Sequence, residues 1–210
     1  MTDALTVAVL ALVAVRLVSA DRVALSAGGR ARTAAIVRSL RPRHFLLAPP
    51  VLALVVAAVV VLTAVPGLDV GWWTAVGGIG NPVTGSTEQT TGTALEWLVP
   101  AVFLALLAPA LPLFAESEER IFRAGSERRS WAGRAGRAVL FGLAHAIVGI
   151  PIGAALALSI GGAYFTWAYL RGHRRGGPAA GLRESTCAHV AYNAEVLAVV
   201  LLGLVATALG

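Results

Sequence analysis

Three short stretches of this chain place polar or ionisable side chains one helical turn apart within very apolar sequence. They are Glu118 and Glu119 with Arg123, Phe141 with His145, and His189 with Asn193. Residues four positions apart lie on one face of a helix, so each stretch presents one such pair together, while Glu118 projects about 100° away from Glu119 and can face a different cavity. An ionisable group at the centre of a bilayer costs roughly 2.5–3.5 kcal/mol, so a chain that keeps several there is expected to use them.

The chemistry that suits these side chains is hydrolysis of an amide bond. A carboxylate and an imidazole that converge on one water molecule can polarise and deprotonate it. A second histidine with an amide can donate hydrogen bonds to the oxyanion that forms when this water attacks a peptide carbonyl. Phe141 is expected to contribute shape as a wall of the pocket.

Each stretch also has a purely structural interpretation. Glu119 and Arg123 form an i,i+4 pair of the kind found at solvated helix ends. A buried histidine such as His145 often bonds a backbone carbonyl, and His189 with Asn193 could join two helices by hydrogen bonds worth about 0.6 kcal/mol each. The structural interpretation weakens when all three stretches are considered together.

Metal chemistry is an open alternative from the sequence. Glu118, His145 and His189 match the donor set of a catalytic zinc ion with one open position. No His-Glu-x-x-His helix occurs, so such a site would draw its ligands from three separate elements. The cofactor is therefore either absent, in a glutamate mechanism, or a divalent metal such as zinc. Cys187 is interpreted as a small apolar filler, and Glu195 as a structural contact between helices.

Composition places these residues in a membrane protein. The 210 residues are 57% hydrophobic and 13% charged, with a mean hydropathy of +0.77, a balance that a soluble domain hardly reaches. The net charge of +6 comes from arginine alone, since the chain contains no lysine. These arginines flank apolar segments, where topology and anionic headgroups account for them, so the expected partner is the lipid bilayer and not nucleic acid.

The apolar pattern predicts an all-α, polytopic bundle of about six transmembrane spans. They are expected near residues 4–20, 45–66, 95–115, 138–150, 152–170 and 187–209. We interpret residues 1–210 as one membrane domain. Residues 1–94 would hold two N-terminal spans, a basic cytoplasmic loop and an extracytoplasmic loop, and residues 95–210 the functional core.

Arginine clusters predict the orientation of these spans. With every cluster on the cytoplasmic side, the spans alternate without conflict and both termini lie outside. This path requires a hairpin over residues 139–170, for which Gly149 and Pro151 supply a break. Its first arm, residues 138–150, is too short to cross easily, so a short or re-entrant helix is expected there. The polar stretch at 67–93 is expected to be the extracytoplasmic loop.

The ordered set of motifs resembles the CPBP family of membrane proteases, which includes type II CAAX prenyl endopeptidases and bacteriocin-processing or immunity proteins. The resemblance rests on Glu-Glu-x-x-x-Arg at 118–123, Phe-x-x-x-His at 141–145 and His-x-x-x-Asn at 189–193. These motifs cover about a third of the chain. A glycine commonly follows the motif arginine, whereas Ala124 stands here.

The resemblance implies a membrane endopeptidase with a cavity open to the cytoplasm, acting on membrane-bound or lipid-bearing peptides. It implies that Glu118 and His145 activate the water and that His189 and Asn193 bind the oxyanion. Glu119 and Arg123 would orient them. Two rivals stay open: a non-catalytic adaptor or immunity protein of the same fold, and a small proton-coupled transporter. The absence of an evident internal repeat weakens the transporter.

Overall fold

The chain is all-helical in the computed structural model, which describes residues 2–75, 77 and 90–209 and contains no strand within them. About half of the predicted extracytoplasmic loop, residues 76 and 78–89, lies outside this part. The helices are α1 Thr2–Leu25, α2 Ala27–Ser39, α3 Pro42–Thr63, α4 Trp72–Ala75, α5 Leu95–Phe122, α6 Trp131–Ala144, α7 Ile152–Ala157 and α8 Ser159–Leu209. Two 3₁₀ turns, Ser126–Arg128 and His145–Val148, follow α5 and α6 respectively.

Local chemistry sets the helix boundaries. Ser26 caps α2 by accepting a hydrogen bond from the backbone of Gly29, and Ser130 caps α6 in the same way. Pro42 opens α3, where its missing N–H costs nothing. The 3₁₀ turn after α6 ends at Gly149, whose φ of 87° suits only glycine without strain. These four boundaries therefore follow from residues that the sequence supplies at those points.

Three helical stretches are long and apolar enough to cross a membrane among the residues described: Pro42–Thr63, Leu95–Arg128 and Ile152–Gly203. The predicted count of about six spans is not confirmed by these three. One difference concerns residues 138–150, predicted as a separate short or re-entrant helix. Here they are the end of α6, the 3₁₀ turn and the break after it, because α6 already begins at Trp131.

Helix α8 is folded back on itself into a first arm, residues 159–175, and a second arm, residues 178–209. The helical backbone is interrupted at Gly177, where φ is 72°, and at the glycine before it. A Cβ placed at Gly172 would lie 2.6 Å from the carbonyl oxygen of Ala180, and one at Gly181 would lie 3.0 Å from the ring of Tyr169. Glycine thus lets the two arms pack antiparallel at close range.

The first arm of α8 also forms a hairpin with α6, across the break predicted at Gly149 and Pro151. A Cβ at Gly162 would lie 3.1 Å from Cα of Ala138, and one at Gly142 would come closer still to the carbonyl oxygen of Ala155. The first arm of α8 therefore stands beside α6, and α8 also packs against α3 and α5. The core that results contains Ala48, Val55, Phe141, Ala157, Phe165, Ala168, Ala188 and Tyr192.

Ion pairs join the arginine-rich α2 and the start of α3 to the longer helices. Arg32 on α2 donates to Glu116 on α5 at 2.7 Å. Arg43 donates to both carboxylate oxygens of Glu184 on the second arm, at 3.1 and 2.7 Å. The buried imidazole of His44 lies 3.4 Å from the same carboxylate. The basic segment after α1 is thus tied to the two elements that carry Glu118 and His189.

Candidate functional site

The predicted site residues lie on three elements that meet in the core. Glu118 and Glu119 occupy the last turns of α5, and Arg123 follows directly as its C-cap. His145 is the first residue after α6, while His189 and Asn193 lie on the second arm of α8. Because α8 packs against both α5 and α6, residues far apart in sequence are brought to one region.

His189 lies between the two glutamates of α5. Its Nδ1 lies 3.0 Å from Oε1 of Glu119, and since a carboxylate can only accept, the imidazole donates. Its Nε2 lies 3.7 Å from Oε2 of Glu118, beyond direct hydrogen-bond distance. The side chains of His189 and Glu119 are buried, whereas that of Glu118 is 33% exposed. Glu119 thus holds the imidazole by a hydrogen bond, and the more exposed Glu118 faces Nε2 of the same ring.

Arg123 is buried behind Glu119. Both side chains are fully inaccessible, and Nε of Arg123 lies 3.6 Å from Oε2 of Glu119. The guanidinium carbon lies 4.5 Å from the centre of the Phe141 ring, a distance at which a cation is attracted to an aromatic face. No guanidinium nitrogen has a hydrogen-bond partner in the part of the chain described. The carboxylate and the ring are therefore what compensates this buried charge.

His145 is held by its own helix. Its Nδ1 lies 2.8 Å from the carbonyl oxygen of Phe141, which can only accept, so Nδ1 carries the hydrogen. This is the backbone bond expected of a structural histidine, yet it leaves Nε2 of the neutral ring as an acceptor. The Phe141 ring lies 4.8 Å from the His145 ring and 5.5 Å from the His189 ring. Phe141 is thus the wall shared by both imidazoles.

Two expected relationships are not formed directly in the residues described. No hydrogen bond or ion pair joins Glu118 to His145, and the imidazole facing Glu118 is that of His189. No hydrogen bond engages the half-buried amide of Asn193, although Asn193 follows His189 by one turn.

The donor set expected for zinc does not assemble. Across residues 2–75, 77 and 90–209 no three histidine, cysteine or acidic side chains lie close enough together to hold a metal ion. His189 directs Nδ1 at Glu119, and Nδ1 of His145 is taken by a carbonyl. Glu118, His145 and His189 therefore do not fit the metal alternative in this arrangement.

Phe165 belongs to the site but was not predicted from the sequence. It is buried on the first arm of α8, and its ring centre lies 4.2 Å from that of His189, with the planes inclined by 19°. Nothing in the local pattern singles it out, because the contact depends on the antiparallel packing of the two arms. The sequence offers one signal for Phe165, which is an aromatic residue three positions after a glycine. That glycine, Gly162, is closely packed in the structure.

The two residues interpreted as structural lie away from these contacts. The thiol of Cys187 is buried, with Sγ 3.8 Å from the carbonyl oxygen of Ile36, and the side chain fills space between α8 and α2. Glu195 is half-buried two residues beyond Asn193.

The site offers a partly exposed carboxylate beside an oriented imidazole, with a second imidazole across a phenylalanine ring. This arrangement can deprotonate water on one side and donate hydrogen bonds on the other. No protein-family model, curated protein or solved structure matches the chain. Its function is therefore argued from its own residues.

Proposed function

We propose that the chain is a membrane-embedded endopeptidase of the CPBP type, which hydrolyses peptide bonds of membrane-associated or lipid-bearing substrates. The observation that supports this most is the pair of carboxylates around His189: Glu119 at 3.0 Å from Nδ1 and Glu118 at 3.7 Å from Nε2. Polar groups of this kind are costly in apolar surroundings, so a purely structural chain would gain little by keeping them there.

Glu118 is the general base in this proposal. Its partial exposure lets a water molecule reach it, whereas Glu119 is sealed between His189 and Arg123. Glu118 takes a proton from the water as the oxygen attacks the peptide carbonyl, and it returns that proton to the leaving amine as the C–N bond breaks. His145 assists through Nε2, which its bond to the Phe141 carbonyl leaves as an acceptor.

His189 and Asn193 stabilise the oxyanion. With Nδ1–H donating to Glu119, His189 donates to the oxyanion through Nε2 when both ring nitrogens carry a hydrogen. Asn193 supplies an amide with no competing hydrogen bond in the described chain. These donors act on the charge that develops during attack. No step is assigned to a metal, because the donors do not converge on one point.

The proposed location is the cell membrane, with several crossings and the site toward the cytoplasmic face. Arg32 and Arg43, which anchor α2 and α3 to Glu116 and Glu184, lie at the same end as the Glu118 turn. Basic segments are retained on the cytoplasmic side of a membrane, which orients this end inward.

The test is cleavage by purified protein in lipid vesicles, with a library of membrane-anchored peptides and mass spectrometry of the new termini. We expect Glu118→Ala, His145→Ala and His189→Ala to abolish cleavage, and Glu195→Ala to retain it. Folding of each variant is checked by circular dichroism. Full activity in the first three variants would sink the proposal, and absence of cleavage by the wild type would favour the non-catalytic adaptor.

A further inference from the structure

We propose that Phe165 is a positioning residue for His189, acting through its ring and not by touching substrate. The inference rests on the proposed function, since it assigns a role to His189 in peptide hydrolysis. Phe165 is only 1% exposed, and its ring stacks on the imidazole at 4.2 Å with an angle of 19° between the planes. Of the two phenylalanine rings in contact with that imidazole, Phe165 is nearer than Phe141, whose centre lies 5.5 Å away.

The imidazole of His189 is defined by three different contacts. Glu119 accepts a hydrogen bond from Nδ1 at 3.0 Å, Phe165 covers one face, and the Phe141 ring meets the imidazole at 77° with centres 5.5 Å apart. A single hydrogen bond would leave the ring free to rotate about the axis of that bond. The stacked ring removes that freedom, so Nε2 is held toward Glu118.

Phe165 is itself held in place by aromatic neighbours. Its ring makes edge contacts with Phe141 at 5.8 Å and with Tyr192 at 5.7 Å, and the Arg123 guanidinium carbon lies 5.7 Å from its centre. One turn earlier, Gly162 lies so close to Phe141 that any Cβ would reach the ring at 3.1 Å. Any shift of the first arm of α8 would therefore also move the Phe165 ring that covers His189.

The functional consequence is orientation of the free nitrogen. If His189 turns, Nε2 leaves its place 3.7 Å from Glu118 and no longer donates where the oxyanion forms. A misplacement of about 1 Å in a catalytic group can reduce a rate by roughly a hundredfold. Loss of the ring of Phe165 should therefore act on kcat more than on KM.

The test compares Phe165→Leu, which removes the aromatic face, with Phe165→Tyr, which keeps it. Tyr164→Leu is the matched control, because Tyr164 neighbours Phe165 at 5.5 Å and is not among the aromatic contacts of His189. We expect Phe165→Leu to lower kcat about tenfold to a hundredfold with KM within about twofold. Phe165→Tyr and Tyr164→Leu should keep kcat within about threefold of the wild type.

A second measurement reads His189 without any assay of activity. In protein labelled with ¹⁵N-histidine, the imidazole signals of His189 are assigned by their loss in His189→Gln. We expect the wild-type Nδ1 to carry the hydrogen that is donated to Glu119, and Phe165→Leu to shift the signals of both nitrogens as the ring leaves its place beside that carboxylate. Phe165→Tyr should retain the wild-type shifts.

The two measurements separate failure of this inference from failure of the proposed function. Unchanged ¹⁵N shifts of His189 in Phe165→Leu would overturn the positioning role, whether or not the protein cleaves peptides. If the wild type cleaves nothing but Phe165→Leu still alters the shifts of His189, the positioning of His189 is upheld and only its catalytic purpose is removed. Should Phe165→Leu fail to fold, altered shifts in folded Phe165→Tyr would overturn the inference, and wild-type shifts there would support it.

Discussion

The Nδ1 of His189 lies 3.0 Å from Oε1 of Glu119, although the two residues are 70 positions apart in the chain. Both side chains are buried, so this hydrogen bond links α5 to the second arm of α8 inside apolar surroundings. A bond between a histidine and a carboxylate in such a place is stronger and more directional than one in water. It separates the two neighbouring glutamates, because Glu119 accepts this bond while Glu118 stays partly exposed.

Glu118 and Glu119 should therefore respond differently to neutralisation. Glu118→Gln is expected to lower peptide cleavage about 10²–10⁴-fold with little change in stability, because this side chain is 33% exposed. Glu119→Gln should lose activity and also roughly 3–5 kcal/mol of stability, since it leaves the charge of Arg123 buried and unpaired. Cleavage rates and unfolding in detergent measure the two effects. Equal destabilisation by both changes would contradict the arrangement.

Asn193 offers a test of the oxyanion assignment. Asn193→Ala is expected to reduce kcat about 10²–10³-fold, the usual cost of one oxyanion donor. Its effect on unfolding should be small, because no hydrogen bond engages this amide within the residues described. His189→Ala is the comparison, since it should reduce both activity and stability by leaving Glu119 without its donor. An Asn193→Ala enzyme of full activity would remove this residue from the mechanism.

Gly142 should be essential to the hairpin that carries Phe141 and His145. A Cβ there would lie 2.6 Å from Oγ of Ser159 and would also meet the carbonyl oxygen of Ala155. Gly142→Ala is therefore expected to destabilise the fold by about 1–3 kcal/mol. Gly136→Ala, in the same helix but in open space, should stabilise by about 0.5–1 kcal/mol. Thermal unfolding of both variants in detergent measures the two effects. A Gly142→Ala variant as stable as the wild type would refute the close approach of Gly142 to Ser159 and Ala155.

The two acids that bind arginines of the basic segment should differ in their contribution to stability. Glu184→Gln removes the negative charge and one of the two oxygens that accept from Arg43, and it is expected to cost roughly 1.5–3 kcal/mol. Glu116→Gln should cost less than about 1 kcal/mol, because its partners Arg32 and Arg120 are 53% and 60% exposed. Denaturation at low and high salt measures both, with the Glu116 pairs more sensitive to salt. A larger loss of stability in Glu116→Gln than in Glu184→Gln would contradict the assigned strength of the bond between Arg43 and Glu184.

The all-helical class and the site candidates were predictable because they depend on short-range rules. Hydropathy over about 20 residues marks helices that can cross a bilayer, and a spacing of four places Glu119 with Arg123 and His189 with Asn193 on shared faces. Glycine and proline at 149–151 marked a turn, since their backbone preferences are local. The number of membrane crossings was harder to predict, because hydropathy does not show which apolar helices fold back against a neighbour.

Only the tertiary structure decided which groups meet. The sequence alone determined an apolar, arginine-flanked helical chain with carboxylates, imidazoles and an amide at fixed positions along it. Packing at Gly162 and Gly172 then brought the first arm of α8 against its neighbours and placed Phe165 over His189. Packing also placed Glu119 in hydrogen-bond contact with His189 and left Glu118 partly exposed. Such contacts join residues tens of positions apart, so they depend on how closely helices approach and not on the period of any one helix.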